Sequence, residues 1–237
     1  MKALLFAAGK GTRLKPFTDR HPKALAPVNG VPLLERNITY LKCFGITDFV
    51  INIHHFGDQI TYFLKKNHNF NCKIEISDEK DELLETGGGL LFAKKFLDHG
   101  EDFLIMNADI LSDLNLDLFV SYHQEQNDFA TLAVSDRKSS RKLLFNSDMI
   151  LKGWLNVDSG EQRLVGFNKG FKPLAFSGIH CINPKIFSLI KRTGKFSIME
   201  EYLDLMNEER IHGYEHDATV IDVGRPESIR VAEQFFK

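Results

Sequence analysis

Cysteine is scarce in this chain of 237 residues: Cys43, Cys72 and Cys181 are its three, widely spaced and without a CxxC or Cys/His cluster. That spacing excludes a disulfide framework and a zinc site of the usual kinds, and it fits a reducing compartment. No window approaches the roughly 20 apolar residues of a membrane span, and no basic segment leads into a signal-type apolar stretch. A soluble, unprocessed, cytoplasmic protein without membrane contact is expected. Excess charge is also missing, since 30 Lys and Arg stand against 32 Asp and Glu for a net charge of −2. Nucleic acid or an anionic membrane therefore finds no bulk attraction, and any polyanion site must be local. Internal repeats, low-complexity tracts and Pro/Ser-rich linkers are absent too. With 43% apolar residues the chain can bury a large core, and one domain over 1–237 is expected.

What the sequence does contain is alternation. "KALLFAA" reads as a strand, "VPLLERNITYLKCFG" as a helix with Leu34, Ile38 and Leu41 at helical spacing, and "DFVINI" as a second strand. "GDQITYFLKKN" (helix), "CKIEIS" (strand), "GLLFAKKFL" (helix) and "DFLIMNAD" (strand) continue it. Such order predicts a mostly parallel sheet covered by helices, with ligands at the carboxyl ends of its strands. The second half is richer in strands: "FATLAVS", "MILKGWL", "QRLVGFN" and "LAFSGIHCI" precede the helical "FSIMEEYLDLMNEE" and the strand "TVIDV". The expected fold is α/β, with a mixed central sheet and a small added β lobe. Residues 137–148, "RKSSRKLLFNSD", read as a polar loop over a site.

The connection after the first strand is unusual. "GKGTRLKPFTDRHPKALAPV" holds GxG but not the third glycine of a dinucleotide fingerprint, and it lacks the GK[ST] ending of a Walker loop. An NAD-dependent dehydrogenase is disfavoured further because "INIHH" follows the second strand where an acidic residue is needed. A tight turn with solvated charges would explain GxG alone. So long a connection in a compact domain is uncommon unless functional, and Pro16, Pro22 and Pro27 stiffen it. Backbone N–H groups at Gly9 and Gly11, with Arg13 and Lys23, make an array suited to a triphosphate.

Further on, Gly87, Gly88 and Gly89 suit either a helix entry or a surface on which a flat base lies against backbone. Glu85 beside them is a solvated charge or a base contact. Asp109 and Asp222 each close an apolar strand; each alone is as consistent with a turn cap, whereas together they could hold Mg²⁺, a hard cation. Ser177 and Gly178 are core packing or a close approach for a sugar ring. His54 and His55 read as one buried and one exposed ring, Trp154 as core, and the acidic run "DEKDELLE" as a solvated loop and helix start.

The loop resembles the signature of the sugar-1-phosphate nucleotidyltransferases, GxGTRxxPxT followed by PKxxxPV, at every defined position. "LETGGGL" is similar to that family's base-contacting segment, "NAD" (107–109) and "DVGRPE" to its metal-binding turns, and "FSGIHCINP" to its sugar pocket. The resemblance implies a Rossmann-like three-layer fold and transfer of a nucleotidyl group from an NTP to a sugar-1-phosphate, with Mg²⁺ as cofactor. It assigns nucleotide contacts to Ala8, Gly9, Gly11, Thr12, Glu85 and Gly87–Gly89, catalytic charge to Arg13 and Lys23, and metal binding to Asp109 and Asp222. Sugar contacts fall on Asn156, Lys169, Ser177 and Gly178, with Asn168 as a further hydroxyl contact and Lys172 competing with Lys169 for the phosphate. The ETGGG form, the compact length and the lack of a hexapeptide-repeat domain are most like N-acetylmuramate-1-phosphate uridylyltransferases, which serve cell-wall synthesis, with mannose-1-phosphate guanylyltransferases close behind. A catalytically silent regulatory relative would lack phosphate or metal residues, and here all four stand. Ile221 replaces a common Trp and Arg225 a common Thr, which bears on substrate identity.

Overall fold

A computed structural model of the chain describes residues 1–166 and 170–237. Its elements in chain order are β1 (Lys2–Phe6), β2 (Pro27–Val28), β3 (Val31–Pro32), α1 (Leu33–Cys43), β4 (Asp48–Ile53), α2 (Gly57–Lys66), β5 (Lys73–Asp78), α3 (Glu85–Phe92), α4 (Lys94–Leu97), β6 (Phe103–Asn107) and β7 (Ile110–Ser112). They continue with α5 (Leu116–Gln126), β8 (Ala130–Ser135), β9 (Arg141–Phe145), β10 (Leu151–Asn156), β11 (Gln162–Leu164), β12 (Lys172–Ile182), α6 (Ile186–Leu189), α7 (Ile198–Leu205), β13 (Ile211–Glu215), β14 (Val220–Asp222) and α8 (Pro226–Phe235).

Strict alternation of side chains across β1, β4 and β6 builds the layers. Leu4, Val50, Phe103 and Ile105 enter one apolar cluster with Leu90 of α3 and Tyr202 of α7. Their neighbours Leu5, Ile51, Leu104 and Met106 enter a second, with Ile38 of α1, Ile60 of α2 and Phe119 of α5. A sheet buried on both faces needs helices on both, and the expected three layers are present. A third, smaller cluster joins Leu14, Val28, Ile221 and Val223 to Ala232 of α8 and so anchors the long loop after β1. No helix among the described residues is long and apolar enough to cross a membrane.

Among the described residues the central sheet has ten strands, with β11-β10-β9-β12-β6-β1-β4-β5 in order, β8 branching from β12 and β13 pairing with β8. Strands β6, β1, β4 and β5 run parallel, whereas β12 is antiparallel to β6. The mixed sheet is thus as expected. Strand β12 belongs to two structures: Lys172–Leu174 pair with β9 of the lobe, while Ile179–Ile182 pair with β6. The lobe is β9, β10 and β11 in antiparallel register. Residues 137–148 are therefore not one loop, because β9 takes their centre; its Leu143, Leu144 and Phe145 are buried. The carboxyl ends of β1, β4 and β6 share one edge, and the loops leaving that edge build the site.

Candidate active site

The loop leaving β1 does not wander. It winds through three short 3-10 turns, Thr12–Leu14, Phe17–Asp19 and Lys23–Leu25. Gly11 enters the first turn in the left-handed region at φ 61, and a Cβ there would lie 2.8 Å from Lys23 Cβ. Thr18 Oγ1 donates to Gly11 O at 2.9 Å and ties the two turns together. The effect is to bring Lys23, 9% exposed, to the carboxyl edge of the sheet.

Two carboxylates meet Lys23 there. Its ammonium hydrogen-bonds Asp109 Oδ2 and lies 3.8 Å from Asp222 Oδ1. The aspartates belong to adjoining chain segments: β14 pairs antiparallel with β7, and Val223 N donates to Asp109 O at 2.8 Å. A Cβ on Gly224 would come within 2.7 Å of Asp222 Oδ1, 3.1 Å of Arg13 Nη2 and 3.4 Å of Lys23 Nζ. Arg13, Lys23 and Asp222 thus converge on one residue without a side chain, and Asp109 meets them through Lys23. Arg137 is a further cation near enough to interact with Asp222, its Nη2 donating to Phe176 O at 2.7 Å. Burial lowers its guanidinium's proton affinity, and the charge of Asp222 opposes that shift.

A cavity of about 360 Å³ opens beside this cluster, lined by Ala8, Gly9, Lys23, Glu85, Thr86 and Asp109 among others. Its floor is a buried polar relay. Ala8 N donates to Asn52 Oδ1 at 3.2 Å, Asn52 Nδ2 donates to Glu79 Oε1, and Leu84 N donates to Glu79 Oε2 at 2.8 Å. Glu79 is 2% exposed, so the run read as a solvated acidic loop turns one carboxylate inward. Burial raises its pKa, with the Leu84 N–H and the Asn52 amide opposing. Glu85 sits at the mouth in the left-handed region at φ 60, with Lys195 Nζ 3.6 Å from its Oε1. A non-glycine residue held there costs on the order of 1–3 kcal/mol and needs a rigid surround.

Gly87, Gly88 and Gly89 are placed differently from a base platform. All three are buried, and a Cβ would meet the Phe196 ring at 2.3 Å, Gly194 O at 2.2 Å and Glu79 Oε1 at 2.5 Å respectively. The N–H groups of Gly87 and Gly88 are directed to Phe196 O at 2.8 and 3.3 Å. These glycines let α3 approach the 194–198 segment, while Leu83, Glu85 and Thr86 line the cavity. Thr12 and Arg13 are exposed and stand outside its lining.

A second cavity, about 630 Å³, lies between the lobe and α7, and Thr86, Asn107 and Ser197 line both. The expected sugar contacts among the described residues, Asn156, Ser177, Gly178 and Lys172, stand outside its lining. Ser177 is fully buried and its hydroxyl pairs with His216 Nε2 at 2.9 Å. Gly178, at φ 78, abuts Ile110, where a Cβ would sit 2.7 Å from Cγ1. Asn156 shapes a turn, its Oδ1 accepting from Asp158 N at 3.1 Å and Ser159 N at 3.3 Å. Lys169 and Asn168 lie outside the described residues; Lys172 is exposed and paired with Glu215. Trp154, read as core, lines this cavity while packing on the core beneath. His54 and His55 are both half-buried, contrary to a split pair, because β4 ends at Ile53 and the alternation stops.

Asn52, Glu79, Thr86, Ser197 and Trp154 are site residues that motif reading passes over. Asn52 carries a usable signal, an amide in the otherwise apolar "FVINI", since a polar group in a fully buried strand needs a partner.

Residues 2–143 match the family described as nucleotidyl transferase. The chain belongs to that family. It is 31% identical over 224 residues to the N-acetylmuramate alpha-1-phosphate uridylyltransferase of Neisseria meningitidis serogroup B, covering 94% of this chain and 93% of that protein. It is 28% identical over 236 residues to the mannose-1-phosphate guanyltransferase of Aspergillus oryzae; 95% of this chain aligns, spanning 61% of that longer protein. Among solved structures, HddC from Yersinia pseudotuberculosis complexed with GMP-PN superposes with a TM-score of 0.79 at 23% identity, covering 100% of this chain and 99% of that one. At that identity the likeness is one of fold, and it agrees with the α/β architecture above.

Within this nucleotidyl transferase the donor set at Asp109 and Asp222 fits magnesium. Both are carboxylates with side chains 30% and 47% exposed, and no third His, Cys, Asp or Glu joins them among the described residues. Mg²⁺ is held by one or two carboxylates with substrate phosphates and water completing its octahedron, which is what two partly open carboxylates beside a cavity offer.

Proposed function

We propose that this protein transfers a nucleoside monophosphate from an NTP to a sugar-1-phosphate, releasing pyrophosphate and an NDP-sugar. The convergence of Arg13, Lys23, Asp109 and Asp222 beside a cavity that continues into a second one carries this reading. In-line attack by a phosphate oxygen on the α-phosphorus needs no protein nucleophile, and that oxygen is already ionised near pH 7, so no general base is required. The barrier is the approach of two polyanions, and positioned positive charge lowers it. Lys23 reaches the transferring phosphate from the cavity wall, Arg13, beside Lys23 at Gly224, meets the leaving phosphates, and Gly9 and Gly11 offer backbone to them. Asp109 and Asp222 would hold Mg²⁺, which supplies charge that bridges phosphate oxygens. The Asn52–Glu79 relay holds the loop before Glu85 and so shapes the base side; the larger cavity takes the sugar.

UTP and N-acetylmuramate-1-phosphate are the preferred pair, supported by a relative of that activity matched over almost its whole length. GTP with mannose-1-phosphate is the second reading, supported by the fungal relatives. A pyrophosphate-release screen of the four NTPs against N-acetylmuramate-, mannose- and glucose-1-phosphate tests both. Turnover with GTP and mannose-1-phosphate far above the first pair would replace it, and no release from any pair would sink the proposal.

A further inference from the structure

The inner face of the lobe has a pattern that the nucleotide chemistry leaves unused. In the register of β9, β10 and β11, Trp154 stands opposite Leu143 on one side and Arg163 on the other, and Asn156 opposite Arg141. Residues directly opposite in a sheet share a face, so the indole stands between Leu143 and Arg163, with Arg141 diagonal to it across β9. All but Asn156 line the larger cavity. Arg163 Nη2 is anchored to Asp204 Oδ1 of α7 at 2.6 Å, which holds that wall in place. Gly153 lets β11 approach β10 closely, since a Cβ there would meet Arg163 O at 2.5 Å.

Leu143 beside it is 2% exposed, whereas Trp154 is only half-buried. Its indole N–H has no acceptor among the described residues. A large flat ring kept partly open in a cavity, with hydrogen-bonding groups at its edge, matches a pyranose: axial C–H groups give the sugar an apolar face and its hydroxyls lie at the rim. We propose that Trp154 is the stacking platform for the acceptor's sugar ring and sets acceptor affinity independently of the nucleotide. This rests on the proposed reaction and names the residue that reads its second substrate.

The test begins with the screen above; if wild type turns over no sugar-1-phosphate, the parent reading fails and this one with it. With the best pair in hand, KM for each substrate is measured in Trp154→Leu, which keeps apolar volume without a π face, and in Trp154→Phe, which keeps a ring. Trp154→Leu is expected to raise KM for the sugar-1-phosphate at least roughly tenfold and leave that for the NTP within about twofold, with Trp154→Phe between. Trp154 is also the chain's one tryptophan, so wild-type emission reports on it directly. UDP-N-acetylmuramate should quench or shift that emission where UDP does not, with GDP-mannose and GDP as the pair if the screen selects them. Unchanged sugar KM in Trp154→Leu, or identical emission with the NDP and the NDP-sugar, leaves Trp154 a core residue and overturns the inference. Should Trp154→Leu fail to fold, the Phe variant and the wild-type emission decide.

Discussion

Gly224 offers a perturbation whose size can be worked from the structure. Its backbone is outside the left-handed region, so alanine adds no conformational strain. The new methyl would stand 2.7 Å from Asp222 Oδ1 and 3.1 Å from Arg13 Nη2, against an unstrained separation of roughly 3.5 Å. The carboxylate must retreat by about 0.5–1 Å and the guanidinium by somewhat less. Both contacts are at the ends of flexible side chains, so stability should hold, with Tm within about 2 °C of wild type. Catalysis by positioning is less forgiving: a misplacement of about 1 Å costs on the order of a hundredfold. Gly224→Ala should therefore lower kcat/KM roughly 10- to 100-fold, about 1.4–2.7 kcal/mol of transition-state stabilisation. Continuous pyrophosphate-release kinetics with a parallel thermal melt measures both. Wild-type turnover in a folded Gly224→Ala protein would show that Arg13 and Asp222 do not act as a set.

Lys23→Ala and Arg13→Ala should each cut turnover at least roughly a hundredfold through lost phosphate neutralisation, with circular dichroism unchanged; near-wild-type rates in both would remove the loop from the chemistry. Asp109→Asn and Asp222→Asn keep shape but lose charge, so half-saturating Mg²⁺ should rise sharply and excess Mn²⁺ restore part of the rate; activity that persists in a chelator refutes a metal site there. His180 is fully buried against Tyr202, and burial pushes its pKa down from 6.5 to about 3. Its contribution to stability is full above pH 6.5 and falls as pH drops toward 3, because the unfolded chain takes up the proton first, at up to about 1.4 kcal/mol per pH unit. Urea titrations from pH 7.5 to 4.5 should show a shallower loss in His180→Phe than in wild type, and parallel curves would count against that account.

The central parallel strands and their helices were legible because their signals are local: long apolar runs at period 2, helices at period 3.6, glycines closing them. Strand β4 lies where "DFVINI" places it, residue for residue. The pair β2–β3 and strand β7 were not, since two- and three-residue strands carry no periodicity and exist only through their partner, whereas β14 lies within the expected strand "TVIDV". Helix α5 is absent from the expected elements although Asn115 caps it, its side chain accepting from Leu118 N. Four charged residues of the site follow from the motif at 9–28 and from two strand ends. Which glycines touch a ligand does not follow, because Gly87–Gly89 satisfy an open surface and a tight helix contact with the same composition. Glu79 shows the same limit: a run of carboxylates looks solvated until a distant amide, Asn52, and the Leu84 N–H turn one of them inward.

Strand β12 carries a consequence for how such a protein diversifies. Ile179–Ile182 are locked in register with β6, while Lys172–Leu174 carry the lobe at the other end of the same continuous strand. The two ends meet within one strand across an irregularity at Gly178, φ 78, where the register with β8 shifts between Phe176 and His180. Insertions or deletions in the turns joining β9, β10 and β11 therefore leave the β6 register untouched, and with it the spacing of Asp109 from Lys23. With the lobe reading the acceptor as proposed, acceptor preference could drift by remodelling hairpins while the phosphate-side cluster keeps its geometry, and hairpin exchange between relatives would be a route to new acceptor range.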